Sequence, residues 1–515
     1  MNYKKSVIAP ALTVAVGMTL LAGCADKETG ANGTPATGSQ TGSPQATQTA
    51  AKEPFKLSVM NVFYDAEPPK ADSEALKVIE EYTNTDLNIT WVPGSAYNDK
   101  LNVTLASGDL PMVVTALNVK DSAIINAMRS GMFWEVGPYL KDYPNLSKLN
   151  ANVLNNVSVD GKIYGVYRFR PIARNGITFR KDWLDNLGLQ EPKTLDELYN
   201  VIKAFTLNDP DKNGNADTYG LTEGDTVATV TVAQIAGFLG APNTWDMKDG
   251  QFTPAQFTQE YKQALQFMKR LYDEKLMNND FAIVKTPIDN INAGKAGMIF
   301  QVVDNTTSKH NDLYKKFPQA KLDVLSRFQG PKGERIIAAA GHAGEFLFPK
   351  SSVKTEADLR KALDFFDKMA DQKMVNLQVW GIEGKHYKLE NGKAIRTDEK
   401  TYSSEIVPFG QFRTDDWFNN NALEAGNAPE LNAKVNKMLK ENTALAVFNP
   451  AEPLISATFT ERGKDLTSIL NDASIKYIMG EIDDKGWDKA VEQWKANGGS
   501  KVMEELAKEY AKIAK

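Results

Sequence analysis

The sequence predicts an α/β protein built from two lobes, and three observations lead to that prediction. The chain has 515 residues, which is more than one hydrophobic core usually organises. Its composition, 42% hydrophobic and 24% charged, is typical of a soluble globular protein. A predicted strand, helix and strand follow one another where the globular part begins.

That strand–helix–strand unit occupies the first forty residues of the globular part. Apolar residues alternate along 55–63, an apolar stripe runs through 76–82, and a second strand pattern covers 87–92. This order implies a parallel pair with a right-handed crossover. Because such sheets bind ligands at the carboxyl ends of their strands, we expect Tyr64 to lie at the rim of a binding site.

An N-terminal leader precedes the globular part. Lys4 and Lys5 stand ahead of an apolar segment at 7–21, and small residues occupy positions 22 and 23. This pattern predicts a secretory signal peptide over residues 1–23. The apolar segment is shorter than the roughly 20 residues that a helix needs to cross the ~30 Å hydrocarbon layer, so a permanent membrane span is disfavoured.

The only cysteine of the chain, Cys24, follows the leader directly. Residues 21–24, Leu-Ala-Gly-Cys, resemble the lipobox of bacterial lipoproteins, in which the cysteine thiol is diacylglycerylated and becomes the first residue of the mature chain. Two acyl chains suffice for lasting attachment, so we expect Cys24 to anchor the protein to the extracellular face of the cell membrane. The alternative is an unmodified, buried cysteine.

Residues 25–53 form a predicted tether. They are rich in Gly, Thr, Ser, Ala, Gln and Pro and nearly lack large apolar side chains, so they cannot bury enough surface to fold. A flexible coil of this length has an r.m.s. reach of about 30 Å. The tether would let the globular part stand off the membrane while remaining close to it.

The charge of the chain argues against nucleic acid as a partner. The formal net charge is −5, and the sequence contains no dense block of Lys and Arg. A protein that binds nucleic acid normally concentrates positive charge on one face. We therefore expect no nucleic-acid partner.

Residues 209–217 match the pattern of a calcium-binding loop. Asp209, Asp211, Asn213 and Asp217 occupy loop positions one, three, five and nine, and Asn215 would contribute its backbone carbonyl. Calcium takes six to eight oxygen ligands, and alternate residues of a tight loop can point inward together. The sequence predicts a structural calcium site.

This loop departs from the EF-hand pattern at position twelve, where Gly220 replaces the bidentate glutamate. A water or a carboxylate from elsewhere would have to complete the coordination, and the sequence does not assign that place to Glu223 or Asp225. The alternative is an Asp/Asn/Gly turn without metal, since these residues favour turns.

Several motifs resemble those of a known family. The chain is similar to the extracellular solute-binding lipoproteins of ABC importers, in the family 1 sugar-binding branch of Gram-positive bacteria. Met112 is a departure, because the family often has an aspartate there. The matching motifs are ASGDLP at 106–111, GMFW at 131–134, YPNL at 143–146, GITFRKDWLD at 176–185, LGL at 187–189 and PKTLDEL at 192–198.

The resemblance implies a type II periplasmic-binding-protein-like fold with a hinge between its lobes. Such a protein captures an oligosaccharide between the lobes, as a monomer, and delivers it to the transmembrane subunits of an ABC permease. Some family members carry a calcium-binding loop at a place that corresponds to residues 209–217. The implied lobes are 54–165 with about 325–385, and 166–324 with 386–515, with the first crossing near residues 165–170.

Sugar rings present apolar C–H faces and rings of hydroxyls, so their sites combine flat aromatic side chains with charged or amide groups. Candidates in loops marked by glycine or proline are the most attractive. They are Tyr64, Trp134, Trp245 and Trp380 for stacking, with Arg170 and Glu383 for hydroxyl groups.

Enzymatic alternatives remain open from the sequence. The chain has three histidines and neither an HExxH nor a GxSxG motif, but a pair of carboxylates could still make a surface-tethered polysaccharide lyase or glycoside hydrolase. His342, between glycines, is the histidine that such an enzyme would use, although a structural role fits it better. An adhesin or sensor subunit is a third interpretation. No complete phosphate loop occurs, so any ATP hydrolysis belongs to another chain.

Overall fold

The computed structural model describes residues 53–64, 67–414, 422–426 and 430–513. The predicted leader, Cys24 and all of the tether except Glu53 lie outside these residues. Within the described ranges, no helix combines the length and apolar character needed to cross a bilayer.

The strands form two main sheets and three small two-stranded ones. They are β1 (Phe55–Phe63), β2 (Thr85–Pro93), β3 (Val113–Ala116), β4 (Gly165–Phe169), β5 (Asn175–Arg180), β6 (Tyr219–Leu221), β7 (Trp245–Lys248), β8 (Gln251–Pro254), β9 (Ala296–Val302), β10 (Leu322–Leu325), β11 (Ile336–Ile337), β12 (His342–Leu347), β13 (Tyr387–Glu390), β14 (Lys393–Arg396) and β15 (Ala446–Val447).

The first sheet has the order β2-β1-β3-β12-β4. Strands β1 and β2 pair in parallel from Phe55 opposite Thr85 to Phe63 opposite Pro93, which confirms the predicted parallel pair. Strand β12 runs antiparallel to both β3 and β4. The carboxyl ends of β1, β3 and β4 therefore meet at one edge, and the amino end of β12 joins them there.

The second sheet has the order β10-β5-β9-β6. Strand β5 is antiparallel to both of its neighbours, β10 and β9, while β6 pairs with β9 in parallel. This mixed sheet and its helices make the second lobe.

Helices cover both sheets, and several begin at a Ser or Thr whose side chain accepts a hydrogen bond from the first turn, as at Ser73, Thr194 and Ser456. The α-helices are α1 (Glu74–Thr83), α2 (Tyr97–Ser107), α3 (Ser122–Arg129), α4 (Gly137–Leu140), α5 (Ala151–Val157), α6 (Lys181–Asn186), α7 (Leu195–Leu207), α8 (Ala233–Leu239), α9 (Gln259–Asp273), α10 (Ile288–Asn292), α11 (Asn311–Lys316), α12 (Glu356–Met369), α13 (Gln372–Trp380), α14 (Glu399–Glu405), α15 (Glu430–Asn442), α16 (Ala457–Ile478), α17 (Asp484–Trp494) and α18 (Ser500–Ile513).

Each lobe has its own hydrophobic core. In the second lobe, side chains of β5, α7, α9 and β9 pack together with the C-terminal helices α16 and α17. In the first lobe, one core lies between the sheet and α1, α12 and α13, and another lies under α2 and α3. The predicted two-lobed α/β architecture is confirmed.

The lobe boundaries differ from the prediction in two places. Strand β4 belongs to the first sheet, so the first crossing follows it, at residues 170–174. Ile406, Phe409 and Phe412 pack into the core of the first lobe, although the prediction assigned residues from 386 onward to the second. Long-range packing places this segment, and the local sequence pattern does not reveal it.

The chain segments that cross between the lobes also pair with each other. Residues 326–341 connect the second sheet to the first, and within them β11 pairs in parallel with β15. Ala338 and Phe448, next to these strands, contact the small core around Tyr167 and Phe169 at the end of β4. The crossings therefore rest on the first lobe, at the edge where its strands end.

Candidate ligand-binding cleft

Two adjoining cavities lie beside the crossings, and the outer one is lined by residues of both lobes. The inner cavity, about 330 Å³, lies between the crossing residues Asn175 and Ile337 and the second-lobe residues Ala233 and Trp245. The outer cavity, about 660 Å³, reaches Lys120 in the loop after β3. Trp245, Thr244, Phe459 and Thr467 line both cavities, which therefore form one continuous cleft.

Thr244 stands at the junction of these cavities in an unusual backbone conformation. Its φ is +59°, a left-handed value that β-branched residues rarely adopt. The carbonyl of Thr244 accepts a hydrogen bond from the backbone N–H of Ala255 at 2.8 Å, which helps to hold this conformation. Strained backbone of this kind concentrates at functional sites.

The aromatic walls of the cleft come from two different elements. Trp245 begins β7 and is 7% exposed, with its ring against Trp494. Phe459, in the first turn of α16, is 43% exposed, and its ring lies over Gly463, where a Cβ would come within 3.1 Å of it. Gly463 therefore leaves room for this ring in the cleft.

Lys120 brings positive charge to the outer cavity. Its Nζ donates to the carbonyls of Ser158 at 2.5 Å and Pro453 at 3.4 Å. Burial lowers the pKa of Lys120 to about 8, against the opposing effect of Glu345. Glu452 and the exposed Lys464 also line this cavity.

A separate recess of about 290 Å³, here called the arginine recess, lies on the other side of the first crossing. Arg170, Arg174 and Arg413 line it, together with Tyr402, Gln411 and Asp304. Arg174 forms an ion pair with Asp304, with Nε and Oδ1 3.0 Å apart. Among the described lining residues, Asp304 is the only carboxylate.

The pKa of Arg170 reports this concentration of charge. Burial, and then repulsion from Arg168, Arg174 and Arg413, lower it to about 10. The Arg170 guanidinium donates from Nη1 to the carbonyl of Phe169 at 2.7 Å. An anion bound beside Arg170 would offset this repulsion.

Arg168, on β4, is fully buried beside the recess. Its Nε donates to the carbonyl of Gln411 at 3.1 Å, its Nη1 donates to the carbonyl of Ala343 at 2.8 Å, and its Nη2 donates to the Gln411 side chain. Burial lowers its pKa, and the nearby Tyr64 hydroxyl opposes that effect. Arg168 therefore ties the segment around Gln411 to the first sheet.

The predicted calcium loop has its side chains gathered at one place. The Oδ1 and Oδ2 of Asp209 accept from the backbone N–H groups of Asn213 at 3.1 Å and Gly214 at 3.0 Å. The Asn213 amide donates to Asp211 at 2.9 Å and to Asp217 at 3.3 Å. The pKa of Asp211 is raised by burial, by a hydrogen bond with Asp209 and by repulsion from Asp217.

The donor set fits a cation that takes oxygen ligands. Oδ1 of Asp211 is buried and lacks a hydrogen-bond partner, as expected of an atom that faces a bound ion. In the described part of the chain, no three carboxylate, imidazole or thiolate side chains already form a metal cage by themselves, so an ion here would also need amide and carbonyl oxygens.

Position twelve of the loop lies in a strand, where the structure explains the glycine. A Cβ on Gly220, in β6, would come within 2.0 Å of the Ile202 carbonyl oxygen, so no glutamate fits there. Both carboxylate oxygens of Glu223 accept from the Thr231 hydroxyl, and Asp225 pairs with Lys285. Both carboxylates are therefore engaged by side chains outside the loop.

Three predicted ligand-binding residues lie at the space between the lobes. Trp245 lines the inner and outer cavities, and Arg170 lines the arginine recess. Tyr64 directly follows β1 at the predicted rim and is 60% exposed, with its ring against Gly94.

The other three predicted residues lie elsewhere, and none of them lines the cavities described above. The Trp134 indole donates to the carbonyl of Val353 at 2.8 Å, and the Trp380 indole donates to the carbonyl of Leu423 at 2.9 Å. Glu383 is exposed in a tight turn before Tyr387. These two tryptophans pack within the first lobe.

His342 does not have the surroundings of a catalytic base. Its Nδ1 accepts from the backbone N–H of Gly344 at 3.1 Å, which fixes the ring. Burial and then Lys120 lower its pKa to about 4. It begins β12 and serves the turn that leads into the sheet.

Sequence reasoning missed several residues of the cleft. Lys120, Phe459 and Arg413 carry no local motif, and they come together only through the fold. Lys120 is the one that the sequence could have predicted most easily, because it follows the apolar run of β3 as Tyr64 follows β1.

Comparisons with known proteins agree with this architecture. Residues 66–374 match the family model described as bacterial extracellular solute-binding protein. The chain is 43% identical to the polygalacturonan/rhamnogalacturonan-binding protein YtcQ of Bacillus subtilis over 457 residues, which cover 87% of this chain and 90% of YtcQ. It is 38% identical to lipoprotein LipO of the same organism, covering 88% and 92% of the two chains.

A solved structure shares the fold. An HMO-binding, ABC-transporter-associated solute-binding protein from Bifidobacterium longum infantis superposes with a TM-score of 0.67 at 20% identity, covering 90% of this chain and 99% of that one. The predicted solute-binding subunit is thereby confirmed at the level of the family, and a binding protein is confirmed over the enzymatic alternatives. The chain belongs to the bacterial extracellular solute-binding protein family.

Proposed function

We propose that this protein captures an acidic, uronate-containing oligosaccharide between its lobes and delivers it to an ABC permease. The observation that carries the proposal is Arg170, a half-buried guanidinium of the arginine recess that donates to the Phe169 carbonyl and lies close to Arg168, Arg174 and Arg413. A carboxylate gains more from a guanidinium than a neutral sugar hydroxyl does, because both partners of the hydrogen bond are charged. The carboxylates of a uronate chain would neutralise this guanidinium through charge-assisted hydrogen bonds.

The similarity to YtcQ supports the same class of ligand. That protein is named for binding polygalacturonan and rhamnogalacturonan, both of which contain galacturonate, and its similarity extends over 87% of this chain. We therefore propose pectic oligosaccharides as the ligand class.

Binding can be tested by titrating the protein with tetragalacturonate and with a neutral tetrasaccharide such as cellotetraose, followed by tryptophan fluorescence or calorimetry. We expect saturable binding of the acidic ligand only, and an affinity that falls as salt is raised from 50 to 500 mM, since salt screens exposed charges. Saturable binding of cellotetraose with none of tetragalacturonate would overturn the proposal.

A variant separates the recess from the overall charge of the protein. Arg170→Gln should weaken tetragalacturonate binding by roughly tenfold, because one charged hydrogen-bond donor is lost. Lys388→Gln, which removes an equal charge from the exposed hairpin β13–β14, is the matched control and should bind normally. Equal affinity for both variants would show that the recess does not hold the ligand.

Closure of the lobes on the ligand would present the complex to the permease. The crossing segments at 170–174 and 326–341, with strand β15 that pairs with the latter, are the parts that would bend. Ligand must favour the closed form by a few kcal/mol to shift the population. Small-angle scattering with and without saturating ligand should show a decrease in the radius of gyration, and identical curves would contradict closure.

We also propose that Cys24 is lipidated and holds the protein at the outer face of the cell membrane. The lipobox-like residues 21–24 and the name of the relative LipO, a lipoprotein, support this. Cys24→Ala should release the protein into the growth medium, and the wild type should incorporate labelled palmitate. A wild-type protein recovered from the cytosol without label would contradict the proposal.

The loop at 209–217 is proposed to bind calcium in a structural role. The gathered carboxylates and the unpartnered Oδ1 of Asp211 support this. A chelator should lower the melting temperature of the protein by several degrees, since an ion that binds only the folded state stabilises it by mass action. Asp211→Asn should reduce that response, while Asp312→Asn, an exposed site elsewhere, should retain it.

A further inference from the structure

Asn243 joins the second lobe to two of the crossing strands. It is 5% exposed and lies in the loop between α8 and β7. Its side-chain amide donates to the carbonyl of Ala338, next to β11, and to the carbonyl of Val447 in β15, both at 2.8 Å. Because β11 and β15 pair with each other, one amide group holds both strands of the pair.

The strands that Asn243 holds rest on the first lobe. The side chains of Ala338 and Phe448 contact the small core around Tyr167 of β4. The backbone N–H of Ala338 also donates to the carbonyl of Val447 at 3.1 Å, which keeps the two strands together. The Asn243 amide therefore reaches from a loop of the second lobe to strands that pack on the first.

Other bonds between this loop and the crossing segment 326–341 stay within the second lobe. The Lys332 ammonium donates to the carbonyl of Gly240 at 2.7 Å, and the Arg335 guanidinium donates to the carbonyl of Ala241 at 3.1 Å. Phe328, just before them, packs in the core of the second lobe. The bonds of Asn243 differ because their acceptors belong to strands on the first lobe.

The two residues that follow Asn243 line the cleft. Thr244 and Trp245 line both the inner and the outer cavity. The Thr244 hydroxyl donates to Oδ1 of Asn243 at 3.2 Å. The left-handed backbone of Thr244 persists only while its surroundings hold it, so a shift at Thr244 is passed to its neighbours.

A small cavity beside these bonds leaves room for movement. Its volume is about 70 Å³, and Asn243, Thr244 and Ala338 line it together with Asn156 of the first lobe. Protein interiors are otherwise closely packed, so groups next to such a void can shift where fully enclosed groups cannot.

We propose that Asn243 couples ligand contact at Thr244 and Trp245 to the relative movement of the lobes. A ligand that shifts these two residues also shifts both crossing strands, through the Asn243 amide. An amide suits this role because it has two N–H donors and adds no charge to the inner cavity, whose described lining contains no Asp, Glu, Lys, Arg or His. The inference rests on the lobe closure of the proposed function and assigns that closure to a positioning residue.

Asn156 provides a matched control. Its amide donates to the carbonyl of Ala340 at 2.9 Å, and it is 7% exposed. It holds the same crossing segment, but its helix α5 belongs to the first lobe, so its bond does not join the lobes. Asn156→Ala and Asn243→Ala should therefore lower the melting temperature alike and differ in their response to ligand.

Small-angle scattering of the full-length proteins measures the decrease in the radius of gyration that saturating tetragalacturonate causes. Asn243→Ala should lose at least about half of the wild-type decrease, and Asn156→Ala should keep it. Asn243→Ser, a milder change that retains one hydroxyl donor, should give an intermediate decrease and also serves if the alanine variant does not fold.

The outcomes separate this inference from the proposed function. A full wild-type decrease in Asn243→Ala would overturn the inference and leave the proposed function standing. If only cellotetraose binds, the acidic ligand class is wrong, and the same comparison with cellotetraose still decides the role of Asn243. No decrease in the wild type with a bound sugar would overturn closure and this inference together.

Hydrogen exchange of the ligand-free proteins, measured residue by residue, tests the bridge when neither sugar binds. Asn243→Ala should speed exchange of the Ala338 backbone amide by roughly tenfold, the factor that corresponds to one net hydrogen bond. Asn156→Ala should speed it by less than roughly threefold, because the bonds to Ala338 and Val447 remain. Equal acceleration in the two variants would overturn the inference.

Discussion

The inner cavity and the arginine recess lie on opposite sides of the same crossing segment, and they have opposite chemistry. Arg174 lines the recess and the next residue, Asn175, lines the inner cavity. Successive side chains of an extended segment point to opposite sides, so one short stretch supplies both surfaces. A single crossing can therefore give a cleft one charged wall and one neutral wall.

Two buried charged side chains near these regions, Arg168 and Glu345, differ in their hydrogen bonding. On the recess side, Arg168 stays charged inside the protein and satisfies its donors with carbonyls and Gln411. In the neighbouring strand β12, the buried Glu345, near Lys120, has neither oxygen hydrogen-bonded. Burial raises the pKa of Glu345 to about 8, so it stays protonated at neutral pH. Burial therefore leaves the charge on Arg168, whose donors are satisfied, and removes it from Glu345, whose oxygens are not.

The largest expected effect is the pH dependence of the free energy of unfolding that Glu345 causes. The unfolded carboxyl loses its proton near pH 4.5 and the folded one near pH 8, so the folded protein binds more protons in between and its stability falls as pH rises. The free energy of unfolding of the wild type should fall relative to that of Glu345→Gln by up to about 5 kcal/mol across this window.

Denaturant titrations at pH 4.5, 6 and 8 measure this difference. Glu383→Gln, at an exposed carboxylate, is the control. Its free energy of unfolding should differ from that of the wild type by the same amount at each pH. His342 titrates in both proteins. Glu345 raises the pKa of Lys120, so part of the measured difference belongs to this pair. Parallel pH profiles for the wild type and Glu345→Gln would mean that the carboxyl is ionised in the folded state.

A smaller effect is expected at Arg168, on the charged side. Arg168→Lys keeps the charge but loses the planar fork that reaches both groups of Gln411, and should lower the free energy of unfolding by about 3 kcal/mol. Arg170→Lys, where one hydrogen bond to a carbonyl is at stake, should change it by less than about 1 kcal/mol. Chemical denaturation measures both, and equal losses would remove the distinction between a structural and a ligand-facing arginine.

The smallest expected effect concerns ligand binding at Phe459, at the mouth of the inner cavity. Phe459→Ala should weaken binding of tetragalacturonate by roughly tenfold, about 1.4 kcal/mol, because an exposed apolar face is removed. Stability should change little, since Phe459 is already 43% exposed. Leu389→Ala, at a side chain that is 42% exposed on the distant hairpin, should leave binding unchanged, and equal affinities for the two variants would contradict a role for Phe459.

Parts of this fold were predictable because they depend on local patterns. The parallel pair of β1 and β2 follows from alternation and from the short crossover between them, and the rim position of Tyr64 follows from that pair. The segment at 406–412 was assigned to the wrong lobe, because its place depends on contacts with aromatic side chains of β12 and α12.

The predicted ligand residues show the same division. Trp134 and Trp380 have the flanking glycines that favoured them, yet their indoles are hydrogen-bonded to backbone carbonyls of the first lobe. Trp245, chosen on the same grounds, does line the cleft. A loop signal identifies an exposed bend, and only packing decides which bends face each other.

The sequence by itself determined the order of the first strands, and from neighbouring residues it predicts a leader, a lipobox and a calcium-binding loop at 209–217. The tertiary structure alone decided that Lys120, Trp245 and Phe459 share one cleft, and that Arg170 and Arg413 share a recess. The physical reason is that a binding surface is assembled from chain segments far apart in sequence, and its charge depends on which of them burial brings together.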